Sequence, residues 1–322
     1  MAMKIVIPGG AGHVGTVLSR EFHALGHEVV VLSRTPRKKP WRTVEWDGET
    51  IGEWAAEIEG ADAVINLAGQ SVNCRYNETN RRLIIESRVR STKILGEAIA
   101  QAWQPPPVWL QASTATIYAH RYDAPNDEAL GIIGGAESNA PDTWRFSIEV
   151  ATAWEQAFNE AATPLTRRVL MRSAIIMHPD PGSPFSILSR LVRMGLGGKS
   201  GNGKQFVSWI HEQDFLRAVL WLIEHQELEG PVNLASPNPL ANAEFMRVLR
   251  SACKIPFGLP AAEWMLELGA AIIGTETELI LKSRRVIPAR LLQSGFTFQY
   301  PNWADAAKDL CARSKNGALH PV

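Results

Sequence analysis

Three glycines near the start of the chain have a spacing that suits phosphate binding. Gly9, Gly12 and Gly15 form a GxxGxxG pattern, which lets the backbone turn tightly and approach a pyrophosphate closely. A β-branched run at residues 4–7 precedes them and an apolar-periodic segment follows, so we predict a strand, a turn and a helix. The start of that helix would offer free N–H groups to phosphates. The predicted contacts are Gly9, Gly12, His13, Val14 and Gly15.

The end of the next predicted strand, at residues 28–32, indicates which dinucleotide is bound. An acidic residue there would hydrogen-bond the ribose hydroxyl and favour NAD. This chain has Ser33 and Arg34 instead, and a guanidinium binds a 2′-phosphate bidentately. We therefore predict NADP as the cofactor, with contacts from Ser33 and Arg34. The cations that follow, Arg37 to Lys39, are expected to belong to a solvated surface loop.

Other candidate cofactor contacts lie where further strands end. The buried run AVINLA at residues 63–68 ends at Gly69, and ligands bind outside the carboxyl ends of parallel strands. Arg88 belongs to a polar stripe on the predicted helix at residues 79–103; it either contacts the cofactor or forms a surface salt bridge. Ile175 lies near the end of a predicted strand at residues 165–176. The candidates added here are Leu67, Ala68, Gly69, Arg88 and Ile175.

The elements that must position these residues alternate between strand and helix up to residue 176, with one of the helices expected around residues 51–58. This alternation predicts an α/β fold, a Rossmann doubly wound parallel sheet. Beyond it helices dominate, apart from a returning strand at residues 230–234. We predict a dinucleotide-binding domain of residues 1–176, to which 208–235 return, and a smaller, mainly helical substrate domain of residues 177–207 and 236–322.

Composition excludes several functional classes. The 322 residues include 33 Lys plus Arg and 33 Asp plus Glu, so nothing electrostatic favours nucleic acid or an anionic membrane as a partner. No run of eighteen apolar residues predicts a membrane span. The three cysteines are far apart and match neither a disulfide framework nor a metal site. We expect a cytoplasmic protein without a metal.

Several motifs together resemble a known family. NLAG at residues 66–69, STATIY at 113–118 and WIHEQD at 209–214 are similar to extended short-chain dehydrogenases/reductases. The run RRVIPARLLQSGFTFQYP at residues 284–301 resembles one subgroup, the epimerase family of nucleoside-diphosphate-sugar epimerase-like proteins with a small C-terminal domain. The resemblance implies NADP, a cleft under that domain and a small-molecule substrate, for which a nucleotide sugar is one candidate. It also allows a homodimer.

The resemblance fails at the residues that should transfer a proton. In the superfamily a tyrosine is the acid/base, and a lysine four residues later lowers its pKa. Thr114 resembles the serine or threonine that hydrogen-bonds the reacting oxygen, but Phe146 and Val150 stand where the tyrosine and lysine are expected. Neither side chain transfers protons. Tyr118, four residues after Thr114, is the candidate substitute, with a buried structural tyrosine as the alternative.

Two functional hypotheses follow from this departure. The retained Thr114 and the cofactor motif favour an NADP-dependent oxidoreductase or epimerase-like enzyme with an unusual acid/base group. The missing tyrosine–lysine pair favours an NADP-binding regulatory or redox-sensing protein with little catalysis. The sequence does not identify the substrate.

Overall fold

A single parallel sheet forms the centre of the molecule. The computed structural model describes residues 2–138, 140–267 and 276–317. The sheet has seven strands in the order β10-β6-β5-β4-β1-β2-β3, and every neighbouring pair is parallel. This order contains the 3-2-1-4-5-6 arrangement of the Rossmann fold. The described strands are β1 Lys4–Pro8, β2 Glu28–Ser33, β3 Arg42–Glu45, β4 Ala63–Asn66, β5 Val108–Thr114, β6 Arg167–Ser173, β7 Ile175–Met177, β8 Phe206–Val207, β9 Trp209–His211, β10 Gly230–Leu234 and β11 Leu240–Ala241.

Helices cover both faces of the sheet. Successive residues of a strand point to opposite faces, so Ile5 packs with one hydrophobic cluster and Val6 with the other. Helices α1 (His13–Ala24) and α5 (Glu212–Glu224) join the first cluster, and α2 (Glu78–Gln101) and α3 (Asp142–Asn159) join the second. The doubly wound Rossmann fold predicted from the sequence is therefore confirmed. Besides the helical residues 263–267, the helices of the described ranges are α1 His13–Ala24, α2 Glu78–Gln101, α3 Asp142–Asn159, α4 Pro184–Arg193, α5 Glu212–Glu224, α6 Asn242–Cys253, α7 Glu278–Leu281, α8 Ala289–Gln293 and α9 Trp303–Gly317.

Two predicted elements differ from those observed. The strand expected at residues 165–176 is two strands, because the chain changes its pairing partner at Ala174. Its N–H still donates to Leu234 O of β10, whereas Ile175 pairs with Trp209 of β9. The helix expected around residues 51–58 is a short 3₁₀ turn, Glu53–Glu57.

A third cluster lies outside the sheet. It joins α4, α6 and α9 around large aromatic side chains, and the rings of Phe245 and Trp303 stack with centroids 4.1 Å apart. The cysteines Cys253 and Cys311, distant in sequence, lie in this cluster with their sulfurs 3.1 Å apart. The domain boundaries predicted from the sequence remain a prediction. In the described ranges, no helix has both the length and the apolar character needed to cross a membrane.

A segment between α6 and α9, residues 276–287, returns to the sheet. Its Lys282 Nζ donates to Thr116 O at 2.7 Å, and Ser283 N donates to His120 Nδ1 at 2.8 Å. Both acceptors lie just beyond the carboxyl end of β5. The C-terminal part of the chain thus reaches the edge of the sheet where ligands bind in this fold.

Candidate active site

The glycine turn between β1 and α1 depends on close backbone packing at two positions. Gly9 has a φ of +75°, and a Cβ there would lie 2.6 Å from Ala68 Cα. A Cβ at Gly15 would lie 2.4 Å from Gly10 Cα. Both distances are too short for any side chain, so these glycines are required by the fold. Gly10, which the sequence analysis did not single out, is the second half of the Gly15 contact.

Gly12 differs from Gly9 and Gly15, because a Cβ there would not clash with the rest of the fold. The nearest atom to a Cβ there would be Gly9 O at 3.6 Å. Gly12 is also the N-cap of α1, and no side chain caps this helix start. The first N–H groups of a helix carry partial positive charge. An exposed, uncapped helix start beside open space suits a phosphate.

A cavity of about 380 Å³ lies at the carboxyl ends of β1, β2 and β4; we call it the glycine-turn cavity. Most of the cofactor contacts predicted from three separate stretches of sequence meet there. The predicted residues that line it are Gly9, Gly12, Ser33, Arg34, Leu67, Ala68 and Gly69. Ser87 of α2, which belongs to the polar stripe predicted on this helix, also lines the cavity, as does Arg90. Arg90 was missed, since a helix surface gives no local signal of what lies opposite.

A neighbouring cavity of about 510 Å³, the Arg37 cavity, lies on the other side of Ser33. It is lined by His13, Ser33, Arg37 and Lys39 among others. Arg37 and Lys39 are exposed, as the sequence predicted, yet they contribute to a concave surface beside the glycine turn. The side chain of Val14 packs against the hydrophobic core instead, so only its backbone remains a candidate contact.

Arg88 lies under Gly69. A Cβ at Gly69 would be 3.0 Å from Arg88 Cζ, and Arg88 Nη1 donates to the carbonyls of Gln70 and Ile84 at 3.0 Å each. Its guanidinium is 4.9 Å from the ring centre of Trp154. Desolvation lowers the pKa of Arg88 to about 10. No carboxylate in the described ranges forms an ion pair with Arg88, so the surface salt bridge considered from the sequence is not what holds it.

A small cavity of about 140 Å³, the Thr114 cavity, lies beyond the carboxyl end of β5. Phe146 and Val150 of α3 line it together with Thr114. The structure therefore brings the two apolar residues to the place where a proton-transferring pair was expected. Thr114 Oγ1 accepts a hydrogen bond from Thr116 N at 3.1 Å. Its hydroxyl hydrogen remains available to a ligand.

The structure does not bring Tyr118 or Ile175 to this cavity. Tyr118 is 2% exposed, and its hydroxyl donates to Asn233 Oδ1 at 2.9 Å and accepts from Arg172 Nη1 at 3.1 Å. Burial raises its pKa. This placement supports the alternative considered from the sequence, a structural tyrosine. Ile175 is paired in β7 and packs against the third cluster.

Polar groups that the sequence analysis missed or left aside face Phe146 and Val150. Ser147 Oγ donates to Glu278 Oε2, and both residues line the Thr114 cavity. Glu278 is 2% exposed, and its burial raises its pKa above the ordinary value of 4.5. Arg284 Nη2 lies 3.5 Å from Glu278 Oε1, and burial lowers the pKa of Arg284.

Lys282 belongs to the same group of buried ionisable residues. It is 1% exposed. Its desolvation, reinforced by the charge of Arg284, lowers its pKa to about 8. Glu278, Lys282 and Arg284 lie more than 130 residues after Ser147 in the chain, and no local pattern predicts the contact.

A larger cleft of about 860 Å³, the Glu276 cleft, adjoins this site. Residues close in sequence line the two spaces. Thr277 and Trp144 line the cleft, whereas Glu278 and Phe146 line the Thr114 cavity. The cleft has an aromatic wall, in which the rings of His120 and Trp144 have centroids 4.7 Å apart. Its charged residues in the described ranges are Arg75, Glu137, Glu263, Glu267 and Glu276.

Comparison with known proteins shows which proteins are similar to this chain in sequence. The model of the NAD dependent epimerase/dehydratase family matches residues 5–235, and a domain of unknown function, DUF1731, matches residues 261–310. The human epimerase family protein SDR39U1 is 32% identical over 315 residues, which cover 96% of this chain and 100% of the human protein.

Two solved structures extend the comparison. The crystal structure of human SDR39U1 (isoform 2) with NADPH has a TM-score of 0.83 at 30% identity, covering 96% of this chain and 99% of that one. A nucleoside-diphosphate sugar epimerase from Corynebacterium glutamicum has a TM-score of 0.74 at 27% identity, covering 100% of this chain and 62% of that one. Both have the fold described above.

Proposed function

Because the chain belongs to the NAD dependent epimerase/dehydratase family, we propose that it is an NADP-dependent oxidoreductase acting on a carbonyl or hydroxyl group of a small molecule. The family predicted from the sequence motifs is thereby confirmed. The observation that carries the proposal is the meeting of the glycine turn, Arg34 and the β4 end in one cavity, with Thr114 at the end of β5, the next strand in the sheet.

The residues present fit the cofactor. Gly12 leaves open space at an uncapped helix start, which suits a pyrophosphate. Arg34 lines the glycine-turn cavity from one side of Ser33, and Arg37 and Lys39 line the neighbouring cavity; these cations suit a 2′-phosphate. Bound NADPH would supply a hydride. The similarity to the human protein whose structure contains NADPH supports the same choice.

Replacing Arg34 by alanine is expected to weaken NADPH binding by about one to two orders of magnitude. The reason is the loss of a charge-assisted hydrogen bond to the 2′-phosphate, worth about 1.5–3 kcal/mol. NADH lacks this phosphate, so its affinity should barely change. Titration calorimetry with both nucleotides measures the difference.

Lys38 provides the matched control for Arg34. It is an exposed cation of the same loop, and it is absent from the described lining of both neighbouring cavities. Lys38→Ala should therefore leave both affinities nearly unchanged. Equal losses for NADPH and NADH in Arg34→Ala would contradict the assignment of NADP.

The charges of the Glu276 cleft oppose a nucleotide sugar as the substrate. In the described ranges, four carboxylates line it against one guanidinium, and Arg75 Nη1 is already paired with Glu276 Oε2 at 3.0 Å. Residues 268–275 contain no charged residue in the sequence. Burial lowers the pKa of His120, so this ring is neutral near pH 7. A pyrophosphate would meet repulsion here, so we favour a neutral or cationic substrate.

UDP-glucose is accordingly expected to bind with a Kd no tighter than about 1 mM, measured by calorimetry with NADPH present. The double variant Glu263→Gln with Glu267→Gln removes two exposed carboxylates of the cleft and should improve that affinity. A micromolar Kd for the wild type would restore the nucleotide-sugar alternative, which the name of the Corynebacterium protein supports.

A regulatory or redox-sensing protein is the second candidate function. It is favoured by the apolar side chains of Phe146 and Val150, which face Thr114. This candidate predicts NADPH binding without NADPH oxidation by any carbonyl compound. The two candidates therefore differ in whether another group in the Thr114 cavity transfers a proton.

A further inference from the structure

We infer that Ser147 and Glu278 together replace the tyrosine–lysine pair, with Ser147 Oγ donating a proton to the substrate oxygen and Glu278 replenishing it. This inference rests on the proposed oxidoreductase function. Ser147 follows Phe146 directly on α3 and lines the same cavity as Thr114. Thr114 and Ser147 thus both bring a hydroxyl to this cavity, which Thr116 and Tyr76 also line, and Tyr76 is hydrogen-bonded to Ser147.

Ser147 alone is a poor acid, so its proton donation depends on the protonation state of Glu278. Its Oγ donates to Glu278 Oε2. When the carboxyl is protonated this hydrogen bond reverses, so that the carboxyl O–H donates to Ser147 Oγ and the serine hydrogen is free for the substrate. Glu278 is almost completely buried, and this burial raises the pKa of its carboxyl, which shifts the equilibrium toward the neutral form. A neutral carboxyl holds the proton that the pair requires.

The charged and titratable groups that face Glu278 come from several elements. Arg284, the hydrogen bond from Ser147 and Lys282 favour the carboxylate, and Glu276 favours the neutral acid. From the loop before α2, Tyr76 lies in the same cavity, and burial raises its pKa. Arg88 of α2 also lines the cavity. The pKa of Glu278 remains raised despite these groups, because burial has the largest effect on it.

The proton balance of a carbonyl reduction is complete with these residues. As the carbonyl carbon gains the hydride, an O–H bond forms at the substrate oxygen and the O–H bond of Ser147 breaks. The carboxyl proton of Glu278 moves to Ser147 Oγ at the same time. The resulting carboxylate is stabilised by Arg284 Nη2, 3.5 Å from Oε1, and takes a proton from solvent before the next turnover. In alcohol oxidation the same steps run in reverse.

The structural alternative is that Glu278 is ionised and forms an ion pair with Arg284 that only fixes α7 to α3. The two roles predict opposite pH dependences of stability. A neutral Glu278, with a folded pKa above its ordinary 4.5, stabilises the fold at low pH and loses that contribution as pH rises through the folded pKa. An ionised, paired Glu278 would have a folded pKa below 4.5, so its contribution would grow as pH rises to about 4.5 and stay constant above that pH.

The test combines readouts with and without turnover, using Glu278→Gln, Ser147→Ala and two control variants on α3. The controls, Glu149→Gln and Thr152→Ala, change exposed residues of the same helix. Infrared difference spectra near pH 7 should show a protonated carboxyl band in the wild type and in Glu149→Gln but not in Glu278→Gln. The stability difference between wild type and Glu278→Gln, measured by urea unfolding, should shrink as pH rises.

Turnover is measured as NADPH oxidation with 4-nitrobenzaldehyde, a neutral aromatic carbonyl probe. Glu278→Gln and Ser147→Ala should lose about 10²-fold or more in kcat, with unchanged NADPH affinity. The wild-type kcat should fall with rising pH, and that of Glu278→Gln should not. An ionised Glu278 in the infrared spectra, or Glu278→Gln with the wild-type rate and pH profile, would overturn the inference. Failure of the proposed function shows separately, as no NADPH binding to the wild type.

Discussion

Replacing Glu155 by alanine is expected to lower the free energy of unfolding by about 3–5 kcal/mol. Glu155 of α3 forms a bidentate pair with Arg172 of β6, with Nε–Oε1 and Nη2–Oε2 distances of 2.8 and 2.7 Å. Both side chains are buried, with exposed fractions of 9% and 11%. Removing the carboxylate would leave an unpaired guanidinium in the interior, which is far costlier than losing a surface pair.

The Glu155–Arg172 pair also connects α3 to the strands that end next to the Thr114 cavity. Ser113 Oγ of β5 donates to Glu155 Oε1 at 2.5 Å, and Arg172 Nη1 donates to Tyr118, which in turn bonds Asn233 of β10. One polar network therefore connects α3 with β5, β6 and β10, immediately before Thr114. This network is why Tyr118 is better explained as a structural residue than as a proton donor.

Two further variants test whether the loss in Glu155→Ala comes from the unpaired buried charge. Glu244→Ala breaks a surface pair with Arg247, whose side chains are 45% and 60% exposed, and should cost only about 0.2–1 kcal/mol. Replacing Glu155 and Arg172 together by methionine should cost less than Glu155→Ala alone, since no charge is left unpaired. Urea unfolding measures all three. A loss below about 1 kcal/mol in Glu155→Ala would show that the pair does not organise the interior.

The sequence predicted those parts of the molecule that depend on local patterns. The glycine turn, the first strands and the helices between them follow from residue types within about thirty positions. The Rossmann fold was therefore predictable, because apolar periodicity and glycine spacing act over such distances. The cofactor contacts at Arg34 and Gly69 remain predictions, although the structure brings both to one cavity.

What the sequence did not show depends on contacts between distant segments. β6 ends where it does because β9, more than thirty residues later, pairs with Ile175. The hydrogen bond between Ser147 and Glu278 joins residues 131 positions apart. No sequence pattern predicts that a serine and a glutamate so far apart in the chain form a hydrogen bond. Burial decides their chemistry, and burial is a property of the folded chain.

The same reasoning explains why a lysine does not suit position 150. Val150 is 7% exposed and lines the Thr114 cavity together with Arg88. Desolvation already lowers the pKa of that guanidinium to about 10. A second cation in a space of about 140 Å³ would be desolvated and repelled by the first. Arg88 thus already brings a positive charge to this cavity.

Val150→Lys is therefore expected to lower the free energy of unfolding by on the order of 3 kcal/mol, and adding Phe146→Tyr should not restore stability. A buried ammonium has a lowered pKa, so the unfolded state binds more protons, and the loss should shrink as pH rises above about 7. Combining Val150→Lys with Arg88→Met removes the repulsion and should recover part of the loss in a double-mutant cycle. Additive effects in that cycle, or a Val150→Lys variant as stable as the wild type, would show that the cavity accommodates both charges and that the valine is not there to exclude a second cation.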